Sequence, residues 1–219
     1  MVLQDIEYFA EKQWSHPEVF DVAQRVYDAC LGDTGNNEEM QRRLAELSRT
    51  SGAEHLRQAG NFMAEIIVFS DLLSQGFCPR WLPESRVRGV RTPDIEYIKN
   101  DKHVPVEVKH LNDPRDEHEA IYAGRPPGGS VGLDYYAALE SKVEYFVNDA
   151  MQKFACYKDS AAETGIPELH LFFTKSLEAK VADIMSQTLA QFGDPGLTMK
   201  NNIEAIAQNM VSTELLLKV

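Results

Sequence analysis

At 219 residues with 43% hydrophobic content, the chain is long enough to bury one sizeable core, so a single domain spanning 1–219 with peripheral additions is the simplest expectation. It carries 22 Lys and Arg against 34 Asp and Glu, a formal net charge of −12, which argues against independent tight binding of a polyanion because an acidic surface repels nucleic acid at low salt. No apolar run reaches the length of a membrane span and the opening MVLQDIEYFAEKQW has acids where a signal peptide has lysines, so a soluble cytoplasmic protein is expected. Cys30, Cys78 and Cys156 show neither metal-ligand spacing nor the density of a disulfide framework and are expected to be reduced, buried or half-buried thiols.

Apolar positions at helical spacing predict a first helix over Val19 to Leu31, ended near Gly32. Asn36 or Asn37 is the expected cap of a second, NEEMQRRLAELSR, whose acidic start and basic later turns suit the helix dipole. Residues 1–51 thus read as an N-terminal helical accessory region without evident chemistry. Gly52 to Gln75 predicts a longer helix closed by Gly76, with Phe62 or Met63, Ile66, Phe69 or Ser70 and Leu73 facing a core. Glu65 sits among apolar neighbours in AEIIVF; an ionised carboxylate there is costly to bury unless it is paired or bound to a metal. Phe77 to Leu82 is the first expected strand. Arg80 within it and Arg86, Arg88 and Arg91 after it form one cluster, and Arg42, Arg43, Arg49 and Arg57 lie in the helical region before; such patches could contact phosphates, scattered surface arginines being the plainer alternative.

Asp94 to Ile98 and Val104 to His110 read as two strands joined by the polar turn Lys99-Asn100-Asp101-Lys102, the pattern of a β-hairpin. With Asn100 and Asp101 as the loop, Lys99 faces Lys102, Glu96 faces Pro105 and Asp94 faces Glu107, the last as a close pair with β-carbons about 4.5 to 5.5 Å apart. Pro105 then loses no hydrogen bond within the hairpin. Val104, Val106 and Val108 alternate with Pro105, Glu107 and Lys109, so one face is apolar and the other carries two carboxylates and a lysine. Two ionised carboxylates at that separation repel each other, and a Mg²⁺ or Mn²⁺ ion that keeps several waters suits the gap, with Lys109 one step along to orient a water or neutralise charge.

The polar, Gly- and Pro-rich stretch after His110 predicts a long loop, in which His118 and Arg125, with His110 beside them, are weak candidates for phosphate contact. Leu133 to Tyr157 predicts a strong helix with an apolar stripe at Leu139, Val143, Phe146, Val147, Ala150 and Phe154. Glu168 to Thr174 predicts a strand that a helical crossover would set parallel to its neighbour. SLEAKVADIMSQTLAQFG and MKNNIEAIAQNM predict further helices, and TELLLKV an additional edge strand, within a C-terminal extension over 176–219.

Pro93-Asp94 followed by Glu107-Val108-Lys109 resembles the PD-(D/E)xK nuclease superfamily, over a stretch running roughly from Gly52 to Thr174. The resemblance implies an α/β restriction-endonuclease-like core, 52–175, with an α-β-β-β-α-β mixed sheet flanked by helices. It implies a metal-dependent nuclease acting on nucleic acid, DNA being the expected substrate, and it places the family's helical acid at Glu65. It further implies that Asp94, Glu107, Glu65 and the Val108 carbonyl hold the metal and that Asp94, Glu107, Lys109 and Glu65 form the catalytic set. Arg88, Arg91, His110, Lys142 and Gln152 are weak substrate-contact candidates. A partner protein could deliver the nucleic acid to so acidic a chain, and pairing of two copies would suit cutting of both strands. A catalytically idle nuclease-like fold serving as a binding or assembly module is the alternative, and the net charge is its best argument.

Overall fold

Asn100 and Asp101 both hold positive φ, 52° and 59°, and this pair of left-handed residues makes the turn whose twist matches two antiparallel strands. The computed structural model describes residues 17–47, 52–85, 89–111, 131–160, 163–173 and 198–203, together with positions 49, 87, 183, 184 and 187. The turn joins strand β2, Ile95–Lys99, to strand β3, Lys102–Leu111. Their register runs from Lys99↔Lys102 through Glu96↔Pro105 to Ile95↔Val106, as the turn chemistry predicts.

Before the hairpin come helices α1, Pro17–Leu31, α2, Thr34–Leu47, and α3, Gly52–Ser74, and the short strand β1, Arg80–Trp81. After it come helix α4, Val131–Ser160, and strands β4, Glu168–Phe173, and β5, Thr198–Ile203. The sheet order is β1-β2-β3-β4-β5, antiparallel from β1 to β3 and parallel from β3 to β5, so the protein is α/β with a mixed sheet flanked by helices.

The two sheet faces are covered by different helices. Val104, Val106 and Val108 pack with Phe62, Met63, Ile66 and Phe69 of α3, backed by Val22 and Val26 of α1 and Met40 and Leu44 of α2. Leu169, Leu171 and Phe173 pack with Leu139, Val143, Val147, Ala150 and Phe154 of α4 on the other side. The period of two therefore turns Glu107 and Lys109 toward α4, so their face is roofed rather than open to solvent. Sandwiching also explains why α3 is buried beyond the single stripe expected of it: Phe62 to Ile66 and Val68 to Ser70 all lie inside.

Helix α3 ends as Gly76 predicts. Gly76 has φ +83°, its N–H donates to the Leu73 carbonyl, and the N–H of Phe77 donates to the Leu72 carbonyl at 3.1 Å, the paired closure that lets Phe77 fold back onto the core. Helix α2 starts earlier than expected. Asp33 is its cap, its Oδ1 accepting from the Asn36 N–H at 2.9 Å. Asn36 is instead buried, where its Nδ2 donates to the Pro79 carbonyl and its Oδ1 accepts from the Trp81 N–H at 2.9 Å, fastening α2 to β1.

Two expectations for strands and helices are corrected. The first strand shrinks to two residues, Arg80 and Trp81, paired with Glu96 and Ile95 on β2, and the Leu82 N–H that follows donates to the Asp94 carbonyl at 3.0 Å. Met199 to Ile203, read as the start of a helix, is strand β5 in parallel register with β4; the free edge of β4 supplies backbone partners that outweigh a weak local preference. Asp183, Ile184 and Gln187 are helical, in keeping with a helix after β4, while TELLLKV and residues 112–130, with His118 and Arg125, lie outside the described residues. Among the thiols, Cys30 is buried and pushed up to about 11, chiefly by burial, whereas Cys78 is exposed. No described helix is long and apolar enough to cross a membrane.

Asn36→Ala leaves the Trp81 N–H and the Pro79 carbonyl without their side-chain partner, so unfolding in urea should show a loss of about 2 kcal/mol. Asn36→Asp should recover part of that loss by restoring the acceptor alone.

Candidate active site

The ladder between β2 and β3 ends at Ile95↔Val106, short of the expected Asp94–Glu107 pair, and Asp94 stands one residue beyond it, near enough to Glu107 for their charges to repel. Its N–H donates to the Val106 carbonyl at 3.1 Å and its Oδ2 accepts from the Val108 N–H at 2.8 Å, so the backbone of β3 fixes the carboxylate in place. Glu107 is fully enclosed, with Oε1 taking the Lys109 and Lys153 ammonium groups at 2.5 Å each. Its Oε2 is buried and accepts no hydrogen bond from the described residues. Lys153 Nζ also lies 3.7 Å from Asp94 Oδ1.

Helix α4 supplies the outer partners. Asp149 and Lys153 are four residues apart and share a helix face, flanking the apolar stripe that runs through Ala150 and Phe154. Asp149 Oδ2 accepts from Lys109 Nζ at 2.9 Å, and Arg91 pairs with Asp149 Oδ1. The Lys109 ammonium also lies 5.9 Å from the centre of the Phe146 ring.

Glu65 comes from α3, where it is buried and paired with Arg43 of α2. Arg43 in turn bonds Glu39 at 3.0 Å and lies over the Trp81 ring at 5.3 Å. This corrects the expectation that the N-terminal helices are mere accessories: α2 carries the counter-ion of the helical acid. It also corrects the phosphate-patch reading of Arg42 and Arg43, because Arg42 is engaged by Glu39 and Glu46 and Arg43 by Glu39 and Glu65.

Burial and mutual repulsion set the proton affinities. Burial raises Glu65 to about 8 against the pull of Arg43, with Asp94 and Glu107 adding repulsion. Burial likewise raises Glu107 to about 7, reinforced by Asp94 and opposed by Lys109 and Lys153. Asp94 is itself held below the usual carboxylate range despite its burial, because Lys153, Lys109, Arg43 and the Val108 N–H all favour the charged form. Lys109 and Lys153 resist the loss of charge that burial favours because Glu107 and Asp94 stand beside them. Asp149 is held low by Lys109, Lys153 and Arg91 against its own burial.

The four residues predicted as the core of the site are thus gathered in one electrostatic cluster. Of the weaker candidates, Arg91 joins it through Asp149. Lys142 lies on the α4 stripe that carries Asp149 and Lys153, about two turns before the first and three before the second. Gln152 is exposed on α4, and it is the neighbouring Lys153 that turns inward. His110 belongs to the opposite face, packed so closely on α3 that a β-carbon at Gly60 would come within 2.7 Å of its Nδ1. Arg88 lies outside the described residues. Lys153, Asp149 and Arg43 were not foreseen as site residues; an acid and a lysine at i and i+4 on the border of an apolar stripe is the signal that points to the first two.

Among the described residues no group of three or more His, Cys, Asp or Glu side chains is arranged to hold a metal ion. Mg²⁺ is commonly held by one or two carboxylates and several waters, however, and the unpartnered Glu107 Oε2 beside Asp94 meets that smaller requirement. Comparison with protein-family models, curated proteins and solved structures returns no match.

The raised carboxyls give a signed pH prediction. A carboxyl whose folded value exceeds its unfolded one keeps its proton longer in the native state, so the native state loses stability as pH climbs from the ordinary carboxylate value of 4.5 through about 7 for Glu107 and about 8 for Glu65. The stability difference between pH 5 and pH 8, read from urea melts, should be smaller in Glu107→Gln than in the parent by about 1–3 kcal/mol. An unchanged difference would show that Glu107 is already ionised at pH 5.

Proposed function

We propose that this chain is a metal-dependent nuclease of the PD-(D/E)xK superfamily, with a restriction-endonuclease-like core, that hydrolyses phosphodiester bonds of nucleic acid, DNA being the substrate. The observation that supports it best is the meeting of Asp94, Glu107 and Lys109 on the face of the hairpin turned to α4, beside Glu65, with Glu107 Oε2 left unpartnered inside the cluster. Carboxylates, a lysine and an acceptor oxygen not already taken by a donor are what metal-assisted phosphoryl chemistry requires of a protein.

Asp94 and Glu107 would hold Mg²⁺ or Mn²⁺, with the Val108 carbonyl and Glu65, directly or through water, completing the set. The ion would supply a water of lowered pKa and stabilise the charge that develops on the phosphate. Lys109 keeps its ammonium at the Glu107 carboxylate because Asp149 holds it from the other side, so it stands ready to orient the attacking water or neutralise the phosphate. Asp149 and Arg91 are positioning residues in this scheme, acting through Lys109. Glu65, paired with Arg43, lies within electrostatic reach of Asp94 and Glu107 and would give up its proton on joining the metal's ligands.

A second reading has its own observation. Lys153 already sets a positive charge between Asp94 and Glu107, and an idle nuclease-like fold used for binding or assembly would be stabilised by such a contact without any ion. Incubation with single-stranded, double-stranded and branched DNA in Mn²⁺ decides between the two. Cleavage that falls by about 10²-fold or more in Asp94→Asn, Glu107→Gln and Lys109→Met supports the nuclease, and a chain that cuts none of these substrates and takes up no Mn²⁺ by titration calorimetry, either as the parent or with Lys153 neutralised, is the idle module.

A further inference from the structure

The two lysines at Glu107 are not equivalent. Lys109 has a carboxylate outside the candidate metal ligands, Asp149 at 2.9 Å, and an aromatic neighbour in Phe146. Among the described residues, the carboxylates within 4 Å of Lys153 are Glu107 at 2.5 Å and Asp94 at 3.7 Å, the two proposed ligands themselves. Its ammonium therefore lies where the charge of a bound dication would be felt most strongly. The cluster also carries its own cations without an ion: Lys109 and Lys153 stand against Glu107, Lys153 stands near Asp94, and Asp149 takes both Lys109 and Arg91.

We propose that Lys153 is a tethered counter-ion that competes with the divalent metal for Asp94 and Glu107 and so sets how weakly the site binds it. This inference rests on the metal-dependent reading above. Two like charges cannot share one pair of carboxylates in a buried site without strong repulsion, so metal entry requires the Lys153 ammonium to leave. Its long, flexible stem permits that, its side chain is 17% exposed, and solvent or a substrate phosphate can receive it. Lys109 stays in place because Asp149 retains it. Metal binding and withdrawal of Lys153 from the carboxylates are then one event, which holds metal affinity low until an anion is present to accept the lysine.

Titration calorimetry with Mn²⁺ on the full chain tests this through binding alone. Lys153→Met removes the competitor while keeping much of its stem, and its Mn²⁺ affinity should exceed the parent's by at least about tenfold, whereas Lys153→Arg should stay close to the parent. Circular dichroism establishes that each variant is folded, and Lys153→Gln replaces Lys153→Met if the latter is not. Binding by the variant and none by the parent also supports the proposal. Equal or weaker Mn²⁺ binding in the neutral variants overturns it while leaving the metal site standing; no binding by parent or variant, at a position where Asp94→Asn also changes nothing, overturns the metal-dependent reading and this inference with it.

Discussion

Burying the Glu107 carboxylate at the centre of a mixed sheet is the constraint around which the rest of this molecule is arranged. An ionised carboxylate removed from water is costly, and several kcal/mol of that cost must be offset by partners with good geometry. The chain offsets it with two ammonium groups on Oε1, and among the described residues none donates to Oε2. Each ammonium is itself half-buried and gains from a second acid, which brings in Asp94 and Asp149; Asp149 in turn draws Arg91. The result is a chain of alternating charges that begins inside the sheet and ends near the surface.

That chain explains features of the fold which hydrophobic packing alone leaves open. Helix α4 covers the Glu107 face through Val147, Ala150 and Phe154, but its rotation about its own axis is fixed by Asp149 and Lys153, which must both reach the strand. On the other side, Glu65 cannot stand among the apolar residues of α3 without Arg43, so α2 is tied into the site by an ion pair and by the stacking of Arg43 on Trp81. Asn36 then locks α2 to the backbone around Trp81. The N-terminal helices thus belong to the support of the site.

The same charge balance bears on the proposed chemistry. The net charge of −12 is a property of the whole surface, whereas each acid around Glu107 has a cation beside it. A phosphodiester entering a matched site would bring an unopposed negative charge. A dication replacing Lys153 at the carboxylates, with the lysine released toward the phosphate, supplies the missing positive charge in the proposed scheme, and a local field of this kind is compatible with an acidic chain.

The sequence by itself determined the hairpin and its consequences. Asn100 and Asp101 accept the left-handed conformation, the turn sets the register, and a period of two places Glu107 and Lys109 on one face with Asp94 across from them. Gly76 likewise marked the end of α3, because its missing β-carbon is what the closure needs. Tertiary structure alone decided which cation serves which acid. Lys153 and Glu107 are 46 residues apart, Arg43 and Glu65 are 22 apart, and the strand at Met199 to Ile203 exists because β4 offers an edge. Local patterns fix backbone turns and faces, whose energetics are complete within a few residues, whereas the pairing of buried charges and the filling of a sheet edge depend on neighbours that only the folded chain brings together.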